Sequence, residues 1–155
     1  MTRYTKFLIK FILTIIRKSH RFVRLNPNVK GSIFFFDKKN MKFFRVFSKE
    51  KTDSITADEI FTNHCYDLSF LNRYDELKKN YFSIIQSRKI PLIIDCGSNI
   101  GLSARYFAEF FPKAKIIAIE PEINNFNLMK RNCEKFKNVI FLNAAIGSEK
   151  GFVSI

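Results

Sequence analysis

Tryptophan is absent, and histidine occurs only at His20 and His64. Three cysteines, Cys65, Cys96 and Cys133, stand far apart with no C-x-x-C pair. That usage excludes a disulfide framework, and with two histidines it offers no metal site. The thiols are read as reduced, as expected of a cytoplasmic protein. A long apolar run is also missing. Within residues 4–25 no run exceeds three, as in Phe11-Ile12-Leu13, followed after Thr14 by Ile15-Ile16. A membrane-spanning helix needs about 20 predominantly apolar residues, so this stretch is too short and too charged to cross. It has no small-residue cleavage site of the kind that ends a signal peptide.

Acidic residues are scarce in one part only. Residues 1–51 hold 14 Lys+Arg against 2 Asp+Glu, whereas residues 52–155 hold 13 against 12. The formal net charge of +13 therefore sits almost wholly at the N-terminal end. A length of 155 residues favours one domain, here residues 52–155, preceded by a basic extension over residues 1–51. Apolar residues make up 46% of the chain, which is globular composition. The 19 phenylalanines are read as codon bias and given no functional weight.

Residues 4–25 have helical spacing. Lys10, Thr14, Arg17 and Arg21 form one polar stripe, and Phe7, Leu8, Phe11, Ile12, Ile15 and Ile16 fill the apolar side. Such a helix can dock on its own domain, or lie on a membrane surface with its cations at lipid phosphates. Nucleic acid is a third possible partner. No RNA-binding motif supports it, and no specific nucleic-acid contact is expected. Asn26-Pro27-Asn28 then breaks the helix. Ser32–Phe36 and Met41–Phe47 flank a turn at residues 37–40, which predicts a β-hairpin. Lys49-Glu50-Lys51 reads as a solvated linker. Thr56 to Glu59 has capping-box spacing and marks an expected helix start. A helix is expected from Arg73 to Arg88, capped by Asn72, with Leu77, Tyr81, Ile84 and Ile85 as its apolar face.

Next comes an alternating pattern. Leu92–Ile94 is a short buried strand, Leu102–Phe111 a helix, Ile116–Ile119 a strand, Ile123–Phe136 a helix and Val139–Leu142 a strand. The order β-α-β-α-β predicts an α/β fold, the parallel half of a doubly wound nucleotide-binding sheet. In such sheets ligands bind at the carboxyl ends of the strands. The first strand runs into Asp95-Cys96-Gly97-Ser98-Asn99-Ile100-Gly101. The second ends at Glu120 and Pro121. Glu120 lies 19 positions after Gly101, where an acidic side chain can accept from both ribose hydroxyls of an adenosine. A dinucleotide site wants G-x-G-x-x-G, but Asn99 stands at the middle glycine position here. An ionised Asp95 would also repel a pyrophosphate. S-adenosylmethionine is cationic at its reacting end and carries no phosphate, so it suits the loop better.

The stretch IIDCGSNIGLSARYFAEFFPKAKIIAIEPEINNFNLMKRN, followed by VIFLNAAIGSEKG, closely resembles the FkbM family of S-adenosylmethionine-dependent methyltransferases. YDLSFL at Tyr66–Leu71 resembles the approach to that domain. The resemblance covers about residues 55–155. It implies a Rossmann-like class I methyltransferase that methylates a hydroxyl on a sugar or natural-product acceptor. It assigns Asp95, Gly97, Ser98, Asn99 and Gly101 to the cofactor loop, and Glu120 with Pro121 to the ribose. Asn143 and Ala144 fall where the family approaches adenine. A class I sheet has seven strands, so residues 151–155 read as the middle of a hairpin and the C-terminal half as absent. Two other readings remain, a nicotinamide-dependent oxidoreductase fragment and a non-catalytic remnant. No general base is named. His64 precedes the motif and could reach the site from a covering segment, with a surface place as the plainer reading, and His20 lies in the basic helix.

Overall fold

The structure, a computed structural model, describes residues 21–26, 31–63, 65–149 and 151. The described chain falls into two compact units, divided after residue 64.

In the first unit, strands β1 (Phe22–Arg24), β2 (Gly31–Asp37) and β3 (Lys42–Ser48) form an antiparallel sheet in the order β1-β2-β3. The hairpin read from sequence is present, with Asp37 paired to Lys42 at its mouth. Helix α1 (Lys51–Phe61) covers one face. Phe22, Phe35, Phe44 and Phe61 pack there with ring centroids 5.2–5.7 Å apart. Some of the phenylalanine that composition alone left without a role thus builds this core.

Three expectations change in this unit. Phe22–Arg24 is a strand and not the end of a helix. Its pairing to Phe35–Asp37 outweighs the helical spacing of the residues before it. The remainder of the expected basic helix, residues 4–20, lies outside the described residues, as does His20. Helix α1 begins at Lys51 and not at Thr56. The capping box is made by Glu50 and Asp53, so the charged Lys49-Glu50-Lys51 run is a helix start and not a linker. Helix α1 packs on the sheet, within the first of the two units.

In the second unit, α2 (Tyr74–Gln86) precedes a parallel sheet of β4 (Leu92–Cys96), β5 (Lys115–Ile119) and β6 (Val139–Leu142). The strand order is β4-β5-β6. Helices α3 (Leu102–Phe110) and α4 (Ile123–Cys133) are the crossovers. This is the mixed α/β architecture expected, compatible with part of a Rossmann-like fold. The cap of α2 is Arg73 and not Asn72.

The register assigns each strand residue to a face. Ile93, Ile116 and Val139 are cross-strand neighbours, as are Asp95, Ala118 and Phe141. Their apolar members pack with Ala104 and Ala108 of α3 and Met129 and Cys133 of α4. The opposite face carries Leu92, Ile94, Ile140 and Leu142, all exposed. The expectation of a fully buried first strand therefore holds for neither Leu92 nor Ile94, because α3 and α4 cover one face only. The proposed apolar side of α2 also contributes no buried residue, and Leu77 and Ile84 are exposed.

Candidate functional site

The carboxyl ends of β4 and β5 meet at one loop, residues 97–101. Gly97 has φ 81°, Asn99 φ 49° and Gly101 φ 83°, so the chain passes three times through left-handed backbone. The turn is tied to β5 by main-chain bonds. The amides of Gly97 and Ser98 both donate to the Ile119 carbonyl, each at 2.9 Å. The Asn99 amide donates to Glu120 Oε2 at 2.8 Å, and the Glu122 amide donates to Glu120 Oε1 at 3.0 Å. Glu120 is buried, with 6% exposure. The sequence-predicted pair of glycine loop and acidic strand end thus forms one hydrogen-bonded unit.

The two predicted loop glycines are glycine for different reasons. A Cβ on Gly97 would meet nothing within 4 Å, so only its φ requires glycine and the space beside it is open. A Cβ on Gly101 would lie 2.7 Å from Met129 Cγ and 3.0 Å from Met129 Cα. Gly101, at φ 83°, lets α3 start close against α4. Its place in the motif is a packing requirement.

Asp95 lies in the helix-side row of β4 and accepts from the Ser103 hydroxyl at 2.7 Å. The Ser98 hydroxyl donates to the Asp95 carbonyl at 3.0 Å. The Asn143 amide nitrogen donates to the carbonyls of Glu120 and Pro121, at 2.8 and 2.9 Å. It joins the end of β6 to the end of β5, beside exposed Ala144. Every predicted cofactor residue is therefore at the carboxyl end of the sheet. His64 lies outside the described residues.

Sequence reasoning missed the supports. Asn132 on α4 donates to the Ile100 carbonyl at 2.8 Å, and Cys133 Sγ donates to the Gly101 carbonyl at 3.2 Å. Burial pushes the Cys133 thiol up to about 12, so it stays protonated and able to donate. Tyr66 was also missed as a neighbour of the site. Its ring packs on Phe107 of α3, centroids 5.5 Å apart. Burial, then the charges of Asp95 and Cys65, raise its hydroxyl above the ordinary tyrosine range. Only position in space reveals these residues. Asn132 and Cys133 are more than thirty positions from their loop partners, and Tyr66 lies well before the motif.

No protein-family profile matches the chain. Over 74 residues, 48% of its length, the chain is 38% identical to methyltransferase sdnD of Sordaria araneosa. That relative is a methyltransferase. The matched stretch of this chain is therefore methyltransferase-like, in agreement with the parallel sheet and its loop. The match spans 22% of the relative's length, so it bears on a part of that protein and not on the whole.

Among the described residues no group of His, Cys, Asp and Glu is arranged to hold a metal ion. Among the same residues no helix is long and apolar enough to cross a membrane.

Proposed function

We propose that the carboxyl end of this sheet binds S-adenosylmethionine, and that the chain is part of an FkbM-like methyltransferase. The acceptor class we infer is a hydroxyl on a sugar or natural product. The observation that carries the reading is the Glu120 carboxylate locked against the 97–101 loop at the tip of β5. Each Glu120 oxygen has an amide partner in the chain. A carboxylate has about four acceptor positions, so capacity remains for two ribose hydroxyls. The open space at Gly97 lets a ligand lie on the backbone. The acidic side chains at the strand ends, Asp95 and Glu120, oppose a pyrophosphate and favour a cationic ligand. The residues present therefore fit S-adenosylmethionine better than a dinucleotide.

Bound there, S-adenosylmethionine supplies a methyl carbon already activated by its sulfonium. The chain's own part is to hold and orient. Glu120 fixes the ribose end, Asp95 faces the loop with its orientation set by Ser103, and Asn143 keeps β6 in register with the site. Methyl transfer depends on aligning the acceptor oxygen in line with the methyl group, so rigid support of the loop is the main contribution. A hydroxyl acceptor also needs a base, and none of the described residues is assigned that role.

Calorimetry on the purified chain tests the reading. S-adenosylhomocysteine is expected to bind, and NAD is not. Binding of NAD without S-adenosylhomocysteine overturns the proposal in favour of a nicotinamide enzyme.

A further inference from the structure

The β2–β3 turn places apolar and cationic side chains together at an exposed tip. Asp37 builds it. Its buried carboxylate accepts from Arg21 Nε and Nη2 at 3.0 and 2.7 Å, from the Lys39 amide at 3.0 Å and from Asn40 Nδ2 at 2.9 Å. Burial opposes the charge on Asp37, but the Arg21 guanidinium and the turn amides outweigh it and hold the carboxyl below its ordinary range. The turn is thus held by an ionised group at neutral pH.

The Phe43 ring packs beside Phe36, centroids 4.8 Å apart, yet much of what the turn displays stays in water. Met41 has φ 51° and is 74% exposed. A left-handed position at the end of a turn favours glycine or asparagine, so methionine there costs backbone energy and also leaves its apolar side chain in water. Phe43, two positions on, is 64% exposed. From residue 38 to residue 45 the chain carries Lys38, Lys39, Lys42 and Arg45 and no acidic residue. The nearest carboxylate, Asp37, is answered by Arg21.

Exposed apolar side chains at a turn whose neighbouring positions are cationic match the two layers of a bilayer surface: anionic phosphates outside, acyl chains beneath. We propose that the β2–β3 hairpin tip docks on anionic membranes, with Met41 and Phe43 entering the interface and Lys39 and Lys42 meeting lipid phosphates. A single-stranded nucleic acid would also answer the charge. It stacks on flat rings, however, and the tip residue Met41 has a flexible thioether suited to a fluid apolar layer.

Vesicle sedimentation with the full chain tests this. Binding is expected to phosphatidylcholine vesicles that contain phosphatidylserine, to weaken as salt rises, and to be absent with phosphatidylcholine alone. Met41→Gly suits the left-handed backbone, so it keeps the fold while removing the apolar tip. Its affinity for anionic vesicles is expected to fall about tenfold. Lys39→Ala with Lys42→Ala is expected to cost about tenfold at low salt and to flatten the salt dependence. Circular dichroism checks folding, and Met41→Asn replaces Met41→Gly if the latter unfolds. Both sets of variants retain residues 1–20, so binding through that basic segment alone would leave them unchanged, and that result overturns the proposal. Met41→Trp adds the chain's first tryptophan. Its fluorescence is expected to be quenched by brominated acyl chains, and a tip that stays in water overturns the proposal. So does oligonucleotide binding that the hairpin variants abolish while vesicle binding persists.

Discussion

Two backbone amides donate to Glu120, one to each carboxylate oxygen. That arrangement sets what each substitution does. Glu120→Gln has the right shape but only one acceptor oxygen, so one amide would face an NH2 group. An unsatisfied or clashing polar group at a buried position costs about 1–3 kcal/mol. Urea unfolding of Glu120→Gln is therefore expected to show a lower midpoint even without ligand, and S-adenosylhomocysteine binding is expected to weaken as the loop loosens. An unchanged midpoint would mean that the amides find other partners and that the loop does not depend on Glu120. Spacing from Gly101 was enough to single out this residue. Its second task, anchoring the loop, was not legible, because the Asn99 amide meets it only after the β4–α3 turn folds onto β5.

At the scale of elements, the α3–α4 pair explains one of the loop's two glycines. Gly101→Ala would combine left-handed backbone with a Cβ pressed on the Met129 backbone, so a loss of about 2–4 kcal/mol is expected. Gly97→Ala meets no atom and pays only for its φ, about 1–2 kcal/mol. Denaturant midpoints of the two variants check the order, and equal losses would show that α3 and α4 move apart freely. Most elements of the second unit were legible. Val139–Leu142 is a strand as read, and α3 differs from its expected span by one residue at its C-terminal end. Pro91, Gly101 and Pro112 punctuate the chain there. The first unit was less legible. Phe22–Arg24 continues a helix-like apolar rhythm, and only its partners on β2 make it a strand. Glu50 lies in a charge run, and its capping role depends on Asp53 turning back to the amides of Lys49 and Glu50.

At the scale of the whole molecule, the parallel sheet has one covered face and one open face. Parallel sheets are ordinarily covered on both. The open face includes Leu92 and Ile94, at 55% and 56% exposure, and Cys96 at the end of the same strand is exposed. Thiol chemistry reads this arrangement directly. Cys65 and Cys96 are expected to alkylate in the native chain, and Cys133 only on unfolding, since it is buried and its thiolate is disfavoured. Mass mapping of the labelled sites checks it, and protection of Cys96 would show that this face is covered in solution.

By itself the sequence determined the order of elements, the parallel strands and the identity of the loop and acidic residues at their carboxyl ends. Those features depend on local pattern: apolar runs of strand length, helical spacing, and prolines and glycines at the breaks. Tertiary structure alone decided which side of each strand is buried, because a run such as Leu92–Ile94 has the same apolar character on both faces. It also decided that Gly101 answers to Met129, that Asn132 and Cys133 hold the loop from behind, and that Asp95 is turned toward Ser103. Each of these is a contact between residues distant in the chain, and a contact of that kind has no local pattern to announce it.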